Sequence, residues 1–216
     1  KTLLSSQDDV DEFVQKYSAC NRINGSLELT TGLSVAITGL DIGPPIDDLS
    51  GLSFIEAVAG DLRINIQTAN LDGFKNIKEI TGDLEILNSD SIVVFNDLNS
   101  LTEVKGNIKI TQNNNLKVLN GFNQLRFSGG IEIASNENLI EVNAFHNLLE
   151  VENTLEIGSE DKIEIIDGFF ELQTIGEDFL IRQNPNLLKI SSFHKLKSIS
   201  NNFRIETAKD ISGFES

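Results

Sequence analysis

Apolar residues recur every third position over long stretches of this chain. In GNIKITQNNNLKVLNGFNQL, residues 106–125, Ile108 and Ile110 alternate as in a strand. Leu116, Leu119, Phe122 and Leu125 then follow three apart. A helix places its apolar face at a period of 3.6 and a half-buried strand at a period of 2. Neither fits the second half. A chain that coils around an interior, turning a corner every few residues, sends about every third side chain inward. The pattern continues from Ile133 through Leu139, Val142, Phe145, Leu148, Val151 and Leu155 to Ile157. From Ile157 it runs Ile163, Ile166, Phe169, Leu172, Ile175, Phe179 and Ile181. Each unit predicts one rung of a solenoid whose short parallel strands stack.

Two markers hold one period. The strand pairs are Leu27/Leu29, Leu62/Ile64, Leu84/Ile86, Ile108/Ile110, Ile131/Ile133, Leu155/Ile157, Phe179/Ile181 and Phe203/Ile205. Their second members lie 35, 22, 24, 23, 24, 24 and 24 residues apart. In phase with them run Leu52, Phe74, Leu98, Phe122, Phe145, Phe169, Phe193 and Phe214. The expected fold class is therefore mainly β, a parallel β-helix or solenoid of about eight rungs. At about 4.8 Å per rung it is a rod roughly 35–40 Å long, one domain over residues 1–216.

The corners and ends fit this plan. Gly25, Gly60, Gly82, Gly106, Gly129 and Gly176 precede a strand, while Gly51, Gly73, Gly121, Gly168 and Gly213 precede the in-phase bulky residue. Both sets predict positive φ or close backbone approach. Asn113, Asn136 and Asn184 share a slot three residues after the strand, where an amide can bond the next rung. Gln67, Ser89, Glu160 and Ala208 fill that slot elsewhere, so an incomplete ladder is expected. Residues 5–18, SSQDDVDEFVQKYS, read as a capping amphipathic helix with Val10, Phe13, Val14 and Tyr17 on one face. The long first spacing implies an insertion over 31–48. The chain begins at Lys1 with no signal-like segment, and KDISGFES ends halfway through a rung; a trimmed piece of a longer secreted precursor is expected.

Composition narrows the partners. Thirty-three acidic and 17 basic residues give a net charge of −16, which disfavours nucleic acid and anionic membrane as partners. No run of about 18 apolar residues is present, so no membrane insertion is expected of this segment. One cysteine, Cys20, cannot form an internal disulfide and carries no catalytic signature; burial in the cap is expected.

Candidate chemistry is sparse. The middle residues of the strands, Glu28, Arg63, Glu85, Lys109, Glu132, Glu156, Leu180 and Arg204, are expected to stack on one outward face. From Arg63 to Glu132 the signs alternate, as in cross-strand charge pairs. Glu132 beside Glu156 breaks the alternation. This strip is either a solvated charge ladder or a flat recognition face. A carbohydrate-active β-helix enzyme is the catalytic alternative, because two adjacent carboxylates suit acid–base work. The chain, however, has no Trp and one Tyr to form a sugar platform. His146 and His194 lie two rungs apart with Phe170 between, too far to share a metal. The acids Asp8, Asp9, Asp11 and Glu12 suit a helix N-terminus, and Glu160–Asp161 matches no calcium-loop pattern. No cofactor or metal site is expected.

ACNRINGSLELT followed by DDLSGLSFIEAVAGDLRI, with later rungs of the form DGFKNIKEITGDLEI, resembles the receptor L domain. This is the right-handed parallel β-helix module of insulin-receptor-type ectodomains. The opening SSQDDVDEF is similar to surface proteins of Bacteroidetes-type bacteria and fungal walls. The resemblance implies a right-handed coil, an extracellular or cell-surface location, and a non-catalytic module that recognises a protein or glycan. A purely structural spacer is the remaining alternative. No ligand-contact residue of the family is matched. The expected binding surfaces are the strip Arg63, Glu85, Lys109, Glu132, Glu156, Leu180 and Arg204, and the 31–48 insertion.

Overall fold

A computed structural model describes residues 1–30 and 43–206. Residues 31–42 of the expected insertion lie outside the described residues, as do 207–216 with Ala208, Gly213 and Phe214. The chain makes about eight turns of a solenoid and contributes strands to three parallel ladders. The first face stacks Thr2–Leu4, Leu27–Thr30, Leu62–Asn65, Leu84–Leu87, the second halves of Glu103–Thr111 and Phe127–Ala134, Leu155–Gly158, Phe179–Arg182 and Phe203–Ile205. The second begins with Arg22–Ile23 and Ala57–Val58, and ends with Thr174–Ile175 and Ser198–Ile199. The third is Val94–Phe95, Val118–Leu119, Glu141–Val142, Ile165–Ile166 and Lys189–Ile190.

The three-residue spacing becomes one continuous core. Leu116, Leu119, Phe122 and Leu125 are all buried, each serving a different side or corner of its rung. Both members of every strand pair from Leu27/Leu29 to Phe179/Ile181 are buried as well. Burial fades in the last described rung, where Phe203 is 51% exposed.

The in-phase aromatics form a stack. Phe122, Phe145, Phe169 and Phe193 lie with centroids 4.9–5.1 Å apart and planes within 19° of parallel, and Phe95, the register partner of Leu119 on the third face, adds a ring 5.2 Å from Phe122. The expected positive φ falls on these bulky residues and not on the glycines before them. Leu98, Phe122, Phe145, Phe169 and Phe193 have φ between 52° and 66°. Such a backbone is strained for a large side chain and persists because the surrounding core overdetermines it. The preceding glycine serves the second expected purpose, close approach. At Gly168 a Cβ would overlap the carbonyl oxygen of Ala144 in the rung before.

The amide slot is a buried ladder, more complete than its composition suggests. Ser89 N–H donates to Asn113 Oδ1 at 2.9 Å, and Asn113 N–H donates to Asn136 Oδ1 at 3.0 Å. Asn136 N–H donates to Glu160 Oε2 at 3.0 Å, and Glu160 N–H donates to Asn184 Oδ1 at 3.1 Å. Glu160 therefore continues the column. Gln67 is exposed and stands outside it.

The helix runs Gln7–Tyr17, with Ser6 as N-cap and a capping box to Asp9. Val10 and Phe13 are buried, and Phe13 stacks on Phe54 at 6.3 Å. One expectation fails at this end, while Tyr17 keeps to the expected face with its ring 5.0 Å from that of Phe13. Tyr17 is 39% exposed at the edge of the packed face. Cys20 is exposed, not buried, because it sits in the turn between the helix and Arg22–Ile23, beyond the surface that the helix covers. The short strand Thr2–Leu4 has no sequence forecast; its single buried residue, Leu4, leaves no period to read.

Candidate functional site

Hydrogen-bonded register fixes the charged strip. Glu28, Arg63, Glu85, Lys109, Glu132, Glu156, Leu180 and Arg204 are successive Cα partners along the first face. All point outward, because their neighbours on either side are the inward pair. Most of the charges are paired. Lys1 bridges Glu28, and Arg63 bridges Glu85. Lys109 Nζ is 3.7 Å from Glu85 Oε1, and Arg182 Nη2 is 2.6 Å from Glu156 Oε1. The Glu85 carboxylate raises the Arg63 guanidinium above its ordinary pKa, against a smaller lowering from burial. Arg204 pairs with Glu206. Leu180 is the apolar break in the strip. Glu132 has no partner for its carboxylate among the described residues.

A second outward column, two residues earlier on each strand, escapes sequence reasoning. It reads Ser26, Asp61, Asp83, Asn107, Gly130, Thr154, Asp178 and Asn202. Its side chains cap the next rung: Asp83 N–H donates to Asp61 Oδ1 at 3.0 Å, and Asn107 N–H to Asp83 Oδ1 at 2.7 Å. Gly130 is the one member without a side chain. Here the strand Phe127–Ala134 is also one residue short. Ser128 pairs with Val104 and Gly130 with Asn107, so the neighbouring strand carries an extra residue. The next rung does likewise, with Ser128 opposite Val151 and Ile131 opposite Leu155. Ser128 turns inward and donates to Gly130 O at 2.8 Å.

The retracted corner leaves an open groove of about 470 Å³. Asn107, Lys109 and Glu132 line it with Gly130 and Ile131, and Asn153, Thr154, Glu156 and Glu177 complete it. Three of the strip residues, Lys109, Glu132 and Glu156, thus converge on one concavity. Arg63 and Glu85 line a smaller one of about 220 Å³ with Lys1 and Glu28. Leu180 and Arg204 belong to neither groove.

Other titratable groups lie elsewhere. His146 Nε2 is 2.8 Å from Asn143 Oδ1 and its ring stacks on Phe170 at 5.0 Å, so Phe170 does fill the slot between the two histidines. No group of three or more His, Cys, Asp or Glu among the described residues is placed to hold a metal ion. Glu160 is the most perturbed acid: burial pushes its pKa up to about 8, against the lowering effect of the Asn136 bonds. It is sealed in the ladder and faces no groove. No described helix is long and apolar enough to cross a membrane.

Rungs that contain Arg63, Glu85 and Lys109 also carry the family signal. Residues 55–119 match the Receptor L domain family. The fold is accordingly receptor L-domain-like, a parallel solenoid of about eight turns with one helix near its N-terminus. That family suggests a ligand-binding, receptor-type module. No curated protein matches the chain. The match includes Asn107 and Lys109 of the groove and ends before Gly130.

Proposed function

We propose that the protein is a non-catalytic recognition module of the cell surface or secreted space, which binds a protein or glycan through its first face. The observation that carries this reading is the register of the strip. Eight successive rungs present charged or apolar side chains at fixed spacing on a rigid sheet, so little ordering entropy opposes binding. The receptor L-domain match agrees with a binding role. Residues 43–48 of the insertion supply a second surface, fastened to the helix by Gln7, whose Oε1 accepts from the N–H groups of Asp47 and Asp48 at 3.1 Å.

The carbohydrate-active alternative rests on Glu132 and Glu156, which are direct Cα partners. Arg182 holds Glu156 in a two-bond ion pair, and the single tyrosine lies on the capping helix beside Thr2–Leu4, several rungs from Glu132 and Glu156. These favour binding over turnover.

The test is an array of glycans and secreted proteins probed with the wild-type chain and an Arg63→Glu, Leu180→Glu double variant. Specific binding that the double variant loses, with unchanged circular dichroism, is expected. Binding that survives both substitutions, or no binding above that of an unrelated protein of equal charge, removes the first face as the recognition surface and favours a spacer.

A further inference from the structure

We infer that the corner groove at Gly130 takes a cationic side chain, the ammonium of a lysine or the guanidinium of an arginine, from a protein ligand. This rests on the reading of the first face as a recognition surface and names what one part of it accepts.

The groove is built, not incidental. A regular rung would fill it twice over, once with a residue at the corner and once with the side chain that its neighbours Asn107 and Thr154 carry. This rung omits both. What remains is polar and underused. Among the described residues the side chains of Asn107, Glu132 and Asn153 have no hydrogen-bond or ion-pair partner within the chain, although all three line one cavity. Elsewhere on the strip, carboxylates and cations are matched.

Glu132 is left over for a geometric reason. Its register neighbours are Lys109 and Glu156, and each is engaged on its far side. Lys109 leans towards Glu85, and Glu156 is bound by Arg182. Thr154 Oγ1 donates to Glu177 Oε2 at 3.2 Å, which orients a further carboxylate on the rim. With Glu156 already neutralised by Arg182, the cavity is left with the carboxylates of Glu132 and Glu177 against the ammonium of Lys109, and with two amide oxygens free to accept. Charge complementarity asks for a cation. The spread of its acids over separate rungs, with no metal-holding cluster among the described residues, suits an extended organic cation with several N–H donors better than a bare ion.

The experiment titrates isotope-labelled protein with Nα-acetyl-arginine amide and Nα-acetyl-lysine amide, followed by backbone amide shifts. Saturable shifts are expected at Gly130, Ile131, Glu132 and Thr154. The neutral analogue Nα-acetyl-citrulline amide is expected to bind at least tenfold more weakly. Glu132→Gln should cost a similar factor. Gly130→Asn, which keeps every charge but fills the gap, should abolish the shifts; its Cβ would displace the flexible end of Asn107 and sit 3.3 Å from the Thr154 carbonyl oxygen. Equal response to citrulline, shifts spread over all acidic sites, or shifts that persist in Gly130→Asn would overturn the assignment. If Gly130→Asn misfolds, the surface variant Glu132→Gln decides alone. An array ligand lost with Arg63→Glu, Leu180→Glu but retained by Glu132→Gln overturns the groove and leaves the first-face reading intact. Saturable groove binding with no array ligand does the reverse.

Discussion

Asn136 grips Glu160 with two donors, Nδ2–H to Oε1 at 2.8 Å and backbone N–H to Oε2 at 3.0 Å, inside a fully buried column. Burial nevertheless dominates and raises the Glu160 pKa to about 8. The unfolded chain titrates near 4.5, so between these values the folded state holds a proton that the unfolded state has released. Stability is then full below about pH 4.5 and falls as pH rises through about 8, by an amount on the order of a few kcal/mol. Urea unfolding of wild type and Glu160→Gln across pH 5–9 checks this. The glutamine variant should show a flatter profile and the higher midpoint at pH 9. Parallel profiles would show that Glu160 is not the titrating group.

Phe145 is sandwiched between Phe122 and Phe169 at 4.9 and 5.1 Å and has φ of 61°. Phe145→Ala should cost about 3–5 kcal/mol through lost burial and a cavity. Phe145→Leu should cost less than half of that, because Leu98 occupies the same slot fully buried with φ of 56°. Denaturant midpoints at constant m-value compare the two. A leucine variant as weak as the alanine variant would mean that ring stacking, not volume, holds the column.

Gly168 tests the packing between rungs. An alanine that fits its backbone usually stabilises by about 0.4–1 kcal/mol. Here the added methyl would overlap Ala144 O, so Gly168→Ala should destabilise by roughly 1–3 kcal/mol or more. A thermal midpoint at or above that of wild type would contradict this close approach.

The coil was legible because its periodicity is a packing requirement. Leu116, Leu119, Phe122 and Leu125 each had to face one interior, and no helix or flat strand offers that spacing. The strip was legible for the same reason, since strand alternation sends Lys109 outward once Ile108 and Ile110 point in. Its ion pairs were only half legible. Alternating signs forecast Arg63 with Glu85, but not that Lys109 would choose Glu85 over Glu132. The groove went unread although its signals are present: the 23-residue spacing, the polar Ser128 in an inward slot, and Gly130 where other rungs carry Asp, Asn, Ser or Thr. Each looks like tolerated variation until register places all three at one corner. Positive φ at phenylalanine could not be forecast, since local preference assigns it to glycine and only the packed stack overrules that.

A surface made by repetition carries a degeneracy. A partner that meets equivalent rungs has several equal places to land, each one strand spacing from the next. The residue dropped between Ser128 and Ile131 removes that symmetry. It marks one rung as different from those above and below, and gives the rod an origin from which every other position along it can be counted.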